Sequence, residues 1–81
     1  MIKKAIYPGS FDPVSNGHID IIERISRLFE RVFVVVAVNP NKHYIFSADE
    51  RVEMLQKATR HLVNVSVEKS DQILVDYVRQ K

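Results

Sequence analysis

The run Val32-Phe33-Val34-Val35-Val36-Ala37-Val38 constrains this chain most. It is continuously apolar and dominated by β-branched residues, the pattern of a strand covered on both faces, as strands are in a parallel sheet. Asn39-Pro40-Asn41 stops it. The segments around it have a different period. Upstream, Ile21, Ile22, Ile25, Leu28, Phe29 and Val32 recur at three- and four-residue steps and predict an amphipathic helix that opens near His18. Downstream, Ser47-Ala48-Asp49-Glu50 is a capping box, with Ser47 as N-cap and Glu50 three residues later. Val52, Leu55, Ala58 and Leu62 form the inward face of the helix it starts.

Two further strands complete the alternation. Lys3 to Tyr7 reads as a short strand ended by Pro8-Gly9, and Val63 to Val67 alternates apolar with polar. Ser70 or Asp71 caps a last helix that buries Ile73 or Leu74, Tyr77 and Val78. The order is βαβαβα, which predicts a Rossmann-like parallel sheet in one domain, residues 1–81. A doubly wound domain normally continues into further strands, so this order reads as the first half of one.

Composition removes several classes. Apolar residues make up 46% and charged residues 27% of the 81, with a net charge of +2, which is ordinary globular usage and argues against disorder. The valine-rich run is far shorter than the roughly 20 residues a membrane span needs. Ala5-Ile6-Tyr7 is too short for the apolar centre of a signal peptide. There are no cysteines, so neither a disulfide framework nor a thiolate zinc site is expected, and a reducing cytoplasm fits. Basic residues are scattered rather than blocked, which favours small anionic ligands over nucleic acid.

Ligands of open parallel sheets bind at the carboxyl ends of the strands. Three polar loops are predicted there: Pro8 to His18, Asn39 to Phe46, and Glu68 to Asp71. The chain has only two glycines, Gly9 and Gly17, so neither the G-x-G-x-x-G nor the G-x-x-x-x-G-K-[ST] phosphate loop can be built. The first loop offers another route. Gly9 lets backbone N–H groups come close to an anion, Ser10 adds a hydroxyl, and the helix start at Gly17-His18 presents unpaired N–H groups and a favourable dipole. Lys42 in the second loop can reach the same space. Such groups suit transfer between phosphates, which needs two anions in line and donors for charge spread over oxygens.

These residues resemble a known family. Tyr7-Pro8-Gly9-Ser10-Phe11-Asp12-Pro13, followed by Asn16-Gly17-His18-Ile19-Asp20, looks like the signature of the bacterial phosphopantetheine adenylyltransferases, nucleotidyltransferases with a Thr/His-x-Gly-His motif. The match runs on through Asn39-Pro40, Lys42, Phe46, Glu50-Arg51-Val52, His61-Leu62 and Asn64-Val65. Ser15 stands where the family motif begins with Thr or His, and Ser10 where many members carry Thr; both keep a hydroxyl. The resemblance implies transfer of AMP from ATP to 4′-phosphopantetheine, giving dephospho-coenzyme A and pyrophosphate in coenzyme A biosynthesis, with Mg²⁺ assisting. It implies that His18 binds ATP phosphate and stabilises the transition state. Ser10 would sit between the substrates, and the Ser10 and Phe11 backbone would contact ATP. Lys42 would hold the phosphate of phosphopantetheine and Leu74 would line its pocket. It also implies a cytoplasmic homo-oligomer, a hexamer in the family, with no nucleic-acid or membrane partner.

The family's second half carries an Arg-Gly-Leu-Arg loop and an Ile-Ser-Ser-Ser stretch, and neither occurs here. Lys81 falls just before the strand expected beside the first, which would leave that strand an open edge. The 81 residues alone are therefore expected to be inactive. Two other functions compete: a different nucleotidyltransferase, such as one acting on nicotinamide mononucleotide, and a non-catalytic truncated module. The remaining polar residues have plain readings. His43 and His61 are structural or exposed, and no histidine spacing suggests a metal site. Asp12 is a turn residue that could orient a lysine or Mg²⁺. Arg51 is a solvated or ion-paired helix residue.

Overall fold

The computed structural model describes residues 3–71. Strand β1 (Lys4–Gly9) leads to helix α1 (Asn16–Leu28), strand β2 (Arg31–Ala37), helix α2 (Ala48–Ala58) and strand β3 (Val65–Ser70). The three strands form one parallel sheet in the order β1-β2-β3, with Lys4 opposite Arg31 and Val32 opposite Val65. The last helix expected from the sequence, with Leu74, lies outside the described residues.

The apolar run is the central strand. Val32, Val34 and Val36 are fully buried, and Phe33 and Val35, which point to the opposite face, are nearly so. Ile22 of α1 and Leu55 of α2 pack against Val32, Val34 and Val36, together with Ala5 and Tyr7 of β1 and Val65 and Val67 of β3. Alternate residues share a face, so both helices cover the same side of the sheet.

Several boundaries differ from the sequence expectation, each for a local reason. β1 runs on through Pro8 and Gly9. The Arg31 N–H donates to the Lys3 carbonyl (3.0 Å), which places the bonds to β2 on the odd residues of β1. The Pro8 nitrogen therefore faces the outer side of the strand, where the sheet loses no donor. α1 opens two residues early because Ser15 caps it. Its stripe is narrower than the periodicity implied: Ile22 is buried and Ile19, Ile25 and Phe29 pack on the core, but Ile21 and Leu28 are exposed. The capping box of α2 forms as read, with Ser47 and Glu50 bonded reciprocally. Leu62 lies beyond the end of α2 yet still reaches the core. β3 begins at Val65 rather than Val63, whose side chain is wholly exposed.

Candidate functional site

The first loop is organised by a phenylalanine. Phe11 has a φ of 51°, in the left-handed region, and its side chain is 2% exposed. Its ring lies edge-on to Tyr7 (centroids 5.4 Å apart) and to His18 (4.9 Å). A Cβ on Gly9 would stand 3.0 Å from that ring. The room left by the glycine is thus filled by Phe11, where the sequence had suggested a backbone approach for an anion. The chain continues through a cis Asp12-Pro13 peptide to the N-cap of α1.

His18 is the third residue of α1 and folds back on the cap. The Ser15 N–H donates to His18 Nδ1 (3.0 Å), Ser15 Oγ lies 3.1 Å from the same nitrogen, and the His18 N–H donates to Ser15 Oγ (3.3 Å). A nitrogen that accepts a backbone N–H carries no proton, so the neutral ring bears its hydrogen on Nε2. Nε2 has no hydrogen-bond partner among the described residues. The site therefore holds a ring of fixed orientation and tautomer, with one donor free, at the positive end of a helix dipole.

The second loop is tied to the first. The Asp12 carboxylate accepts the N–H groups of Ile45 and Phe46, the latter at 2.8 Å. Asn39 receives the N–H of Asn41 on its side chain (2.9 Å) and donates its own N–H to the Tyr44 hydroxyl (3.0 Å). Lys42 sits at the exposed tip of this loop, its Nζ 6.0 Å from the centre of the Tyr44 ring. Asp12 is the turn residue that the sequence implied and, beyond that, a clamp across two loops.

Arg51 overturns its reading. It was expected in solvent or in an ion pair, yet it is 1% exposed. Its Nη1 donates to the carbonyls of Ser10 (3.0 Å) and Ala37 (2.9 Å), and its Nε to those of Phe46 (3.1 Å) and Ser47 (3.3 Å). The Tyr44 ring stacks on the guanidinium at 3.9 Å. One side chain of α2 thereby joins the ends of β1 and β2 to the second loop. Two signals for this were present. A basic residue in the first turns of a helix opposes the dipole, and Arg51 stands one turn before Leu55 on the buried stripe.

The structure brings Ser10, Phe11 and His18 to one turn and fastens the loop that carries Lys42 to it. Ser10 contributes its carbonyl to Arg51. The Lys42 amino group contacts the Tyr44 ring rather than Ser10 or His18. Leu74 lies outside the described residues. The third loop borders a separate cavity of about 260 Å³, lined by Val38, Ala48, Lys69, Ser70 and Asp71, at the ends of β2 and β3. An ion pair from Lys69 to Asp49 (2.7 Å) holds its rim. Among the described residues no three His, Asp or Glu side chains converge to hold a metal ion, and no helix is long and apolar enough to cross a membrane.

The three-stranded parallel sheet, with its polar turn between β1 and α1, places the chain in the α/β class, and comparison with known proteins narrows that class. Residues 6–81 match the cytidylyltransferase-like family model, and the chain belongs to that family. The relatives are more particular. A phosphopantetheine adenylyltransferase of Symbiobacterium thermophilum is 55% identical over 78 residues, covering 96% of this chain and 48% of that protein. One of Nautilia profundicola is 51% identical over 81 residues, covering 100% of this chain and 53% of that protein. The chain spans about half the length of these curated relatives. Among solved structures, one from Vibrio parahaemolyticus, assigned as a nicotinate-nucleotide adenylyltransferase, superposes with a TM-score of 0.75 at 22% identity. It covers 99% of this chain and 51% of that one, and it shows that the fold is shared.

Proposed function

We propose that this chain carries the phosphate-gripping half of an adenylyltransferase that moves AMP from ATP to 4′-phosphopantetheine, giving dephospho-coenzyme A and pyrophosphate. A phosphate oxygen of phosphopantetheine attacks the α-phosphorus of ATP, and the bond from that phosphorus to the oxygen bridging to the β-phosphate breaks. Pyrophosphate leaves with that bridging oxygen. No protein atom forms a covalent bond, so the work is orientation and charge stabilisation. In this reading His18 Nε2–H donates to an ATP phosphate oxygen as charge develops on it. The Ser10 and Phe11 backbone receives ATP, Ser10 also faces the second substrate, Lys42 holds the phosphopantetheine phosphate, and Leu74 lines that pocket. Mg²⁺ enters bound to ATP, as part of the substrate, and neutralises phosphate charge. The same reading makes the protein a cytoplasmic homo-oligomer with small-molecule substrates and no nucleic-acid or membrane partner.

The observation that carries this reading is His18, fixed by Ser15 with Nε2 as its free donor at the start of α1. The choice of phosphopantetheine is supported by relatives of that name at about half identity along nearly the whole chain. The nicotinate-nucleotide alternative has a fold likeness at 22% identity behind it. Isothermal calorimetry on the 81-residue chain tests both. Heat is expected with ATP and with 4′-phosphopantetheine, and His18→Ala should weaken ATP at least tenfold. Heat with nicotinate mononucleotide in place of phosphopantetheine would move the assignment to that substrate. Silence with every ligand, from a folded sample, would favour a non-catalytic module. Because the chain spans about half of its relatives, it should release no pyrophosphate alone, and turnover by the purified chain would contradict that.

A further inference from the structure

Arg51 is a buried cation, and it makes no ion pair among the described residues. A charge taken out of water without a counter-ion is costly, and neutral carbonyls offset only part of that cost. An apolar side chain would fill the same space without the charge, so packing alone does not account for an arginine here. Its position is more informative. The carbonyls of Ser10 and Ala37, both held by Nη1, mark the C-terminal ends of β1 and β2. The guanidinium therefore closes the crevice between the two strands, directly behind the turn that leads to His18.

The peptide joining Ser10 to Phe11 is trans, and a trans peptide points its C=O and its N–H in opposite directions. With the Ser10 carbonyl drawn onto Arg51, the Phe11 N–H is turned away from the guanidinium. That N–H has no hydrogen-bond partner among the described residues. The left-handed φ of Phe11 and its buried ring hold the next bond as well, so the donor's direction is set from both sides.

We propose that Arg51 is a positioning residue for phosphate binding. It locks the Ser10–Phe11 peptide so that the Phe11 N–H faces the nucleotide's phosphate chain, and its charge lies uncompensated behind that peptide. The inference rests on the adenylyltransferase reading and assigns that site a residue which touches no substrate. Lysine is not a substitute. It keeps the charge but lacks the planar fork that reaches the Ser10 and Ala37 carbonyls through one nitrogen and the Phe46 and Ser47 carbonyls through another.

Titration of the ¹⁵N-labelled 81-residue chain with ATP, followed by amide NMR, tests the proposal. The Phe11 amide should be among the resonances that move most. In Arg51→Lys that movement should be lost and the ATP Kd should rise at least tenfold. Asn64→Ala, at the opposite end of the sheet, controls for stability: it should lower Tm yet leave the ATP Kd within twofold. A stationary Phe11 amide, while the His18 amide responds, would overturn the proposal and remove the Phe11 contact from the adenylyltransferase reading, which would then stand on His18. A folded Arg51→Lys chain with the wild-type Kd would also overturn the proposal. If Arg51→Lys does not fold, the Arg51 Nε–H resonance of the wild-type chain decides: it should shift with ATP together with the Phe11 amide, and a stationary Arg51 Nε–H beside a moving Phe11 amide would overturn the proposal. If no amide moves with ATP, the adenylyltransferase reading fails and this inference fails with it.

Discussion

The two ends of the sheet use their polar side chains differently. At the N-terminal end of β3, Asn64 donates from Nδ2 to the carbonyls of Ser26 (2.8 Å) and Phe29 (2.9 Å). These lie where α1 finishes, and helix ends leave carbonyls that need a donor. At the C-terminal end, Arg51 and Asp12 bond loop to loop: Ser10 to Ala37, and residue 12 to residues 45 and 46. The first arrangement completes an element that packing already fixes. The second fixes segments that no ladder or helix would hold. Loops must be ordered in this way where they bind a ligand, since a site with slack support loses affinity and rate. The difference supports the reading that takes the C-terminal end as the working end.

Substitutions should break the two ends unequally. Arg51→Met should have the largest effect, a loss of about 3 kcal/mol, because it removes the guanidinium donors to the half-buried Ser10, Ala37 and Phe46 carbonyls. Urea unfolding gives the number, and an unchanged midpoint would show that water replaces the guanidinium without cost. Asn64→Ala should come next, at about 2 kcal/mol by the same measurement. Its loss should appear in stability alone, with ligand affinities intact. Asp12→Ala should cost about 1.5 kcal/mol, since charge-assisted bonds to two N–H groups are lost from a partly exposed position. Its larger consequence should be functional. The freed loop carries Lys42, so calorimetry should show phosphopantetheine weakened more than ATP. Equal weakening of both would mean that the clamp supports the whole site rather than that loop.

The sequence disclosed the sheet more fully than the braces. Val32 to Val36 are buried as their β-branched run implies, and Ser47 with Glu50 caps α2 as its spacing implies, because each signal depends on a few adjacent residues. His18 was singled out from its place at a helix start, and the structure shows the Ser15 contact that fixes its ring. The solvated reading of Arg51 failed, and the turn reading of Asp12 missed its long-range bonds, for a common reason. Their partners lie 14 to 41 residues away for Arg51 at Ala37 and Ser10, and 33 or 34 away for Asp12. Local signals such as the place of Arg51 early in a helix, one turn before Leu55, mark an unusual charge but do not name the distant partners it reaches. The edges of elements failed more mildly. Pro8 reads as a stop, yet it continues β1, because only pairing decides which way its missing N–H would have pointed.

The smallest expected effect sharpens the comparison from the other side. His61 Nε2 lies 2.9 Å from Glu23 Oε2, joining the segment after α2 to the middle of α1, and both side chains are substantially solvent-exposed. It resembles the working-end braces in linking distant segments, but not in burial. An imidazole and a carboxylate this exposed gain little from each other in water, whether as a hydrogen bond or as an ion pair, and lose side-chain freedom to stay together. His61→Ala should therefore cost roughly 0.2–1 kcal/mol at low salt, and that difference should shrink further at 1 M salt, where the screening length falls to about 3 Å. Melting curves of both proteins at the two ionic strengths measure it. A larger, salt-insensitive loss would show that the His61 ring acts through packing. Long-range connection by itself would then suffice to stabilise this fold, and burial would no longer separate the Arg51 brace from the rest.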